Sequence, residues 1–395
     1  MKTLTFYSNY FNHHQKALCD AFYERLGQGF HFIETEPMEK FREKMGWGGE
    51  KIPPYVLKTY QGKENERLAM DMGRESDAVM IGTAPERFID SRLLENKLTF
   101  RYTERPMKEG MIKMFHPRLA KKFYKLHYKN RNRQVYVLGA SAYASEDYRK
   151  MGSYLGKCMK FGYFPKVIQY DIEELMKKKS DKRVEILSAG RLLKLKRIDL
   201  LIEAAAKLKE KGYDFHVTII GDGEEEGRLK ALAYKKNLGK CIDFYGFMDP
   251  KKVREEMEKA HIFTMTSNFL EGWGSVIYEG LNGGCAVVAS HSCGSTPWLI
   301  NHEENGLIFQ SGNKEDLALQ LEKLFLHKEK IREYGRKGYA QIVDLWNPKT
   351  AAAHVLKAAK ELQKHPEKGM KNWENVIKEG PCSAAPFLKN NWFCP

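Results

Sequence analysis

The stretch VEILSAGRLLKLKRIDLLIEAAAKLKEKGYDFHVTIIGDG, residues 184–223, decides the fold. VEILSAG (184–190) is a largely apolar run that ends in glycine, the pattern of a strand and a bend. IDLLIEAAAKLKEKG (198–212) carries its apolar residues at helical spacing and stops at glycine. FHVTIIGDG (215–223) is strand and bend again. Two strands joined through a helix are a βαβ unit, whose crossover is right-handed and whose strands are parallel.

The same rhythm runs on downstream. It predicts a helix over 224–237, a strand at CIDFYG (241–246), a helix from Pro250 to Ala260 and a strand at HIFTMTS (261–267). A short helix from Ser275 to Asn282, the strand CAVVAS (285–290), a helix near Pro297–Asn301 and the strand GLIF (306–309) follow. The upstream half is less regular but compatible. Strands are read at 4–9, 31–36, 77–83, 97–104, 134–141 and 157–164, with helices at 14–27 and 117–128. Alternation of this kind predicts mostly parallel sheets covered on both faces, in Rossmann-like layers. The charged stretch LMKKKSDKR (175–183) lacks a core pattern and reads as the boundary. Beyond Trp346 the pattern is helical to about Lys364, and the tail GPCSAAPFLKNNWFCP reads as a strap over another surface. The expected division is a domain over 1–175, a second over 176–350, and a terminal helix and tail over 351–395 that pack on the first.

A chain of 395 residues, 42% hydrophobic and 30% charged, suits two or three domains with sizeable cores. No apolar run is long enough to cross a bilayer, and the start reads as a first strand rather than a signal peptide. Seven scattered cysteines without a CxxC pair suit a reducing compartment, so a cytoplasmic protein is expected. The formal charge of +15 favours anionic partners: nucleic acid, anionic lipid or phosphorylated substrates. From Lys97 to Arg133 there are twelve Lys or Arg against two Glu, a net +10, interleaved with aromatics. Two readings of that segment stay open, a surface for an anionic interface and a solvated helix face with its rings turned inward.

In an open parallel sheet, ligands sit beyond the carboxyl ends of the strands. Four features of the second half fall there. Arg191 and Lys196 follow the glycine bend at Gly190; they suit a diphosphate, or merely a soluble helix start. Gly221 and Gly223 permit a tight turn, either a plain bend or the border of a nucleotide. In SNFLEGWGSVIYEGLNGG (267–284), Gly272 and Gly274 clear space beside a bend, and amides from Gly274 to Val276 start a helix suited to phosphate oxygens. Glu271 and Glu279 flank that bend; carboxylates repel phosphate, so sugar and ribose hydroxyls are their better partners, an N-capping loop with a surface glutamate being the plainer alternative. Gly294 and Ser295 turn after CAVVAS and close the same region. Neighbouring Cys293 has no histidine or acid at recognisable triad spacing.

These residues, in this order, resemble the retaining, nucleotide-sugar-dependent glycosyltransferases of family 4, which have the GT-B fold. The likeness is carried by GR followed by Lys196, by GDG at 221–223, by EGWGSVIYE with its E-x7-E spacing, by AVVAS and GLIF, and by WNPKTAA at 346–352. It implies two Rossmann-like domains facing a central cleft, the second binding donor and the first acceptor, with a last helix crossing back. It implies that Arg191 and Lys196 act on the donor diphosphate, that Glu279 holds ribose hydroxyls and that Glu271 touches the transferred sugar. Gly190, Gly221, Gly223, Gly272, Trp273, Gly274, Ser275 and Val276 would line the donor. No metal or other cofactor is implied beyond the UDP- or GDP-sugar itself.

The first half departs from the family pattern. Where a glycine-rich loop is usual, this chain has SNYFNHHQ, with Asn12, His13 and His14. Three readings remain for the histidines: substrate contact, helix-start polarity, and a metal site that lacks an evident third ligand. Arg101, Glu104 and Arg105 in RYTERP end a strand and are candidate acceptor contacts; alternation along the strand lets only one of Arg101 and Glu104 face a given side. FNHHQ, RYTER, ASAY and GYFP resemble stretches of bacterial polysaccharide-synthesis proteins and point towards capsule or O-antigen assembly. The expected partners are a nucleotide-sugar donor, a saccharide or lipid-linked acceptor, and an anionic membrane at the inner face of the plasma membrane. The competing expectations are a GT-B-like nucleotide-sugar epimerase and a nucleic-acid-binding protein, the latter weakened by the lack of a recognisable nucleic-acid module.

Overall fold

The computed structural model describes residues 1–39, 52–179 and 182–393. They form two units: Met1–Lys166 with Trp346–Leu388, and Val167–Leu345 with Lys389–Pro395.

The first unit is built on seven parallel strands: β1 (Leu4–Ser8), β2 (Phe30–Glu34), β3 (Val56–Lys58), β4 (Ala78–Ile81), β5 (Thr99–Thr103), β6 (Val135–Gly139) and β7 (Cys158–Lys160). Their order is β3-β2-β1-β4-β5-β6-β7. Every residue of β1, β4 and β6 is buried, because both faces of the sheet are covered and side chains of either parity must pack. The second unit holds six more parallel strands: β8 (Val184–Ala189), β9 (Phe215–Ile220), β10 (Ile242–Gly246), β11 (Ile262–Met265), β12 (Ala286–Ser290) and β13 (Gly306–Phe309). Their order is β10-β9-β8-β11-β12-β13, with Val184 opposite Phe215 and Val287 opposite Gly306. Both sheets therefore reverse winding beside their first strand, between β1 and β4 and between β8 and β11. Loops from the carboxyl ends of those strands part there and leave room for a ligand.

The strand–helix alternation expected from the sequence is present, and the Ser275–Asn282 helix and GLIF strand have the expected bounds. Several elements were not legible: β3, and helices over Lys63–Glu75, Ala144–Lys150, Lys314–Leu326 and Lys328–Ala340. The junction also lies elsewhere. The chain enters the second unit at Val167, not within 175–183, and leaves it at Leu345 rather than 350. Much of that charged stretch belongs to the second unit; its residues 180–181 lie outside those described. Ile172–Lys177 is a helix capped by Asp171, and Leu175 and Met176 are buried beside Tyr339. Lys179 is itself buried, and its Nζ donates to the carbonyls of Ala260 (2.6 Å), Gly283 (3.1 Å) and Glu258 (3.2 Å). A cation there satisfies carbonyls left over at two helix ends.

The Pro348–Lys364 helix packs on the His13–Leu26 helix of the first unit, and Trp346 stacks on Phe164 at 6.3 Å. Beyond it the tail covers the edge of β7. Cys382 N donates to Lys160 O (2.7 Å), Lys160 N to Ser383 O (2.8 Å) and Ala385 N to Cys158 O (2.9 Å). An open strand edge is thereby paired. Residues 389–393 do not stay with that unit: His291 donates through Nε2 to Asn390 O (2.8 Å), and Phe393 packs against His302. No helix among the described residues is long and apolar enough to cross a membrane.

Candidate functional site

In the second unit the switch point is made by the loops after β8 and β11, and the two are locked together. Thr266 Oγ1 donates to Lys196 O (2.7 Å) and Asn268 N to Leu195 O (2.9 Å). Lys196 closes a short turn at the start of the Ile198–Glu210 helix. Its Nζ reaches Glu271 Oε2 at 2.6 Å, with both side chains largely shielded from water. Arg191, on the same loop, is exposed and has no carboxylate partner among the described residues. Gly190, Arg191, Leu192, Lys196, Thr266 and Ser267 line one depression. The cations and Glu271, far apart in sequence, are thus gathered at one place.

The GDG bend holds this arrangement from beneath. Gly190 N donates to Ile220 O (2.9 Å), Leu192 N to Asp222 O (2.6 Å) and Gly221 N to Gly246 O (2.7 Å). A Cβ on Gly221 would stand 2.0 Å from Gly190 O, and one on Gly223 would stand 2.4 Å from Leu192 O. These two glycines let the loop after β9 press against the loop that carries Arg191. Their backbone approach is structural whatever they touch besides.

Gly274 caps the Ser275–Asn282 helix in the left-handed region, φ 82°, which favours glycine. Ser275 and Val276 follow at its first turn, half-exposed, where unpaired amides and the helix dipole suit an anion. Trp273 is buried against Trp298, and its carbonyl accepts from Ser295 N (3.0 Å), so it anchors the bend rather than lining an open surface. Glu279 lies one turn into the helix and is half-buried. Desolvation holds its carboxyl above the usual range, opposed by the charge of Arg254. Arg254 Nη1 donates to Glu279 O (3.1 Å) and to Asn282 Oδ1 (3.2 Å), and Asn282 makes paired bonds to the backbone of Ile168 (2.9 and 3.0 Å). Thr266, Asn268, Arg254 and Asn282 support the site through tertiary contacts that no sequence spacing announces. Cys293 is buried, and burial pushes its thiol well up, with Glu271 adding to the effect. A thiol in that state is a poor nucleophile.

The raised Glu279 value gives a testable sign. A carboxyl whose folded pKa lies above its unfolded value adds stability below the unfolded value, about 4.3, and that stability is lost as pH rises through the folded value. Ligand-free Glu279→Gln should therefore melt at higher temperature than the parent at neutral pH. The gap should close as the pH falls towards the ordinary glutamate range. Melts of the two proteins at several pH values check this. A gap that does not change with pH removes the desolvation account.

In the first unit, Asn12, His13 and His14 lie beyond the carboxyl end of β1. Asn12 Oδ1 accepts from His14 N (3.0 Å) and caps the His13–Leu26 helix. The two imidazoles pack at 3.9 Å. Burial, aided by His13, lowers the His14 pKa to about 3, so this ring is neutral at physiological pH. Glu104, just past β5, accepts from Tyr163 Oη (3.0 Å), and the Tyr163 ring lies 6.2 Å from that of His14. Arg101 and Arg105 are placed differently from the expectation. Arg101 is buried and clasps Glu86 at 2.7 and 2.8 Å; Arg105 clasps Asp147 at 2.9 and 3.1 Å. Both guanidiniums are committed to internal ion pairs, since an unpaired buried cation is costly. Among the described residues no group of three His, Cys, Asp or Glu could hold a metal ion.

Two parallel α/β sheets, with the helix after the second returned to the first, are the architecture of the GT-B fold. HepE from Anabaena, solved in complex with UDP, aligns with a TM-score of 0.65 over 92% of this chain and 100% of its own at 15% identity, which shows a shared fold. Residues 171–341 match the family described as glycosyl transferases group 1. The amylovoran biosynthesis glycosyltransferase AmsK of Erwinia amylovora is 32% identical over 146 residues, 36% of each chain. The N-acetylgalactosamine-N,N'-diacetylbacillosaminyl-diphospho-undecaprenol 4-alpha-N-acetylgalactosaminyltransferase of Campylobacter jejuni is 35% identical over 149 residues, 38% of this chain and 39% of its own. The chain thus spans little more than a third of the length of these two curated relatives in the matched region.

Proposed function

We propose that this protein is a retaining glycosyltransferase of the family-4 kind, moving a sugar from a UDP- or GDP-sugar to a hydroxyl of a saccharide or lipid-linked acceptor in bacterial surface-polysaccharide synthesis. The observation that carries the reading is the meeting of Arg191, Lys196 and Glu271 at the β8/β11 switch point, beside a glycine-started helix. The polysaccharide-assembly names of the matched relatives and the UDP held by the Anabaena protein support the donor and the setting.

The bond between the sugar C1 and the β-phosphate oxygen breaks, and negative charge grows on the diphosphate. Arg191, Lys196 and the amides from Gly274 to Val276 stabilise that charge, which removes the need for a metal. Glu271 holds Lys196 in place and accepts from a sugar hydroxyl, and Glu279 accepts from ribose hydroxyls. The acceptor oxygen bonds to C1 from the face the phosphate leaves, and its proton passes to the departing phosphate oxygen. Asn12, His13, His14 and Glu104 form the polar edge on the acceptor unit. A neutral His14 can donate or accept without adding charge.

Incubation of purified protein with UDP- and GDP-sugars, with and without saccharide and polyprenyl-diphosphate-linked acceptors, tests the reading. A new glycoside with the donor's anomeric configuration is expected. An epimerised nucleotide-sugar in the absence of acceptor replaces transfer with epimerisation, and an inverted glycoside removes retention.

A further inference from the structure

The first unit presents a surface that the reaction itself does not use. A short turn over Met111–Phe115 leads into the Pro117–Leu126 helix. The helix is held from inside by Phe123, its one buried residue, which packs on His127 and Tyr148. Outside, the usual arrangement is broken. Ile112 is 77% exposed, Phe115 86% and Leu119 42%. Exposed large apolar side chains grouped over a few residues mark an interaction surface. Arg118, Lys121, Lys122 and Lys125 are exposed beside them and have no carboxylate partner among the described residues. From Gly110 to Gln134 the chain has eight Lys or Arg and no Asp or Glu.

We infer that this surface docks the first unit onto an anionic lipid bilayer, with Ile112, Phe115 and Leu119 entering the interface and the cations meeting headgroup phosphates. A bilayer answers both halves of the chemistry at once, charge outside and an apolar layer just beneath. Nucleic acid answers only the cations and leaves Ile112 and Leu119 wet. A second copy of the chain would set like charges against each other. The inference rests on the proposed reaction for its purpose, since a lipid-linked acceptor lies in the bilayer surface, but its geometry is independent of it.

Sedimentation with vesicles tests it. The protein should bind vesicles of phosphatidylglycerol mixed with phosphatidylethanolamine, bind them less as salt rises, and ignore phosphatidylcholine. Ile112→Ser/Phe115→Ser should weaken binding about tenfold or more at low salt, and Lys121→Ser/Lys122→Ser/Lys125→Ser should do so as well. Nucleotide-induced thermal shifts should be unchanged in both, since these side chains face solvent. Parental binding by the apolar variant, indifference to anionic vesicles, or displacement from them by single-stranded RNA overturns the docking surface. Absence of vesicle binding by the unsubstituted protein, with intact transfer to a soluble acceptor, overturns the surface and leaves the reaction standing. Vesicle binding without any transfer does the reverse.

Discussion

Lys196→Ala is expected to lower turnover roughly 10²–10³-fold, about 2.7–4 kcal/mol of lost transition-state stabilisation, with little change in the KM for the donor. The ammonium lines the same depression as Arg191 at the switch point, and in the proposed reaction its charge matters most once the diphosphate begins to leave. Two effects must be separated. Removing Lys196 also strands the Glu271 carboxylate, with which it pairs at 2.6 Å in a shielded position. A stranded charge destabilises the fold. Lys196→Ala/Glu271→Gln should therefore recover thermal stability without recovering turnover. Initial rates and melts of the single and double variants check this. Turnover within about threefold of the parent, with KM raised instead, would make Lys196 a ground-state binder.

Gly221→Ala is expected to destabilise the second unit by about 3 kcal/mol or more, a sum of backbone strain and overpacking. The residue has φ 129°, and a methyl group would meet Gly190 O at 2.0 Å and Gly190 C at 2.8 Å. Those atoms are backbone and cannot swing away as a side-chain tip could. Gly227 is the control: it lies in the Glu226–Lys235 helix with open space about it, so Gly227→Ala should be neutral or stabilising. Hydrogen exchange at the β8 and β9 amides reads the effect within that unit. Equal protection in the two variants would mean that the loops after β8 and β9 part easily. Activity should fall with Gly221→Ala as well, since the loop it displaces carries Arg191.

The contrast between these residues explains what the sequence could tell. The βαβ rhythm from Val184 to Phe309 was legible because each strand is a short apolar run and each bend has a glycine or polar break. The bend at Gly274 and the Ser275–Asn282 helix that carries Glu279 were legible because both are local. The Lys196–Glu271 contact was not, because parallel neighbours β8 and β11 are far apart in the chain and only sheet order joins their loops. Arg101 and Arg105 show the opposite failure. Their position at a strand end was read correctly, but Glu86 and Asp147, which absorb their charge, come from other elements. Lys179 and the Ile172–Lys177 helix were concealed because a helix that buries only Leu175 and Met176 looks, residue by residue, like a linker.

The cover on β7 has a consequence for how the chain matures. The segment that pairs with Cys158 and Lys160 is Cys382–Ala385, more than two hundred positions later in synthesis. The second unit, contiguous from Val167 to Leu345 apart from its last few residues, has all its strands available well before that. During translation the middle of the polypeptide can settle while the opening portion still carries an unsheltered margin. That margin is where a nascent chain would recruit a foreign strand, and its protection arrives only once Cys382–Ala385 have been made.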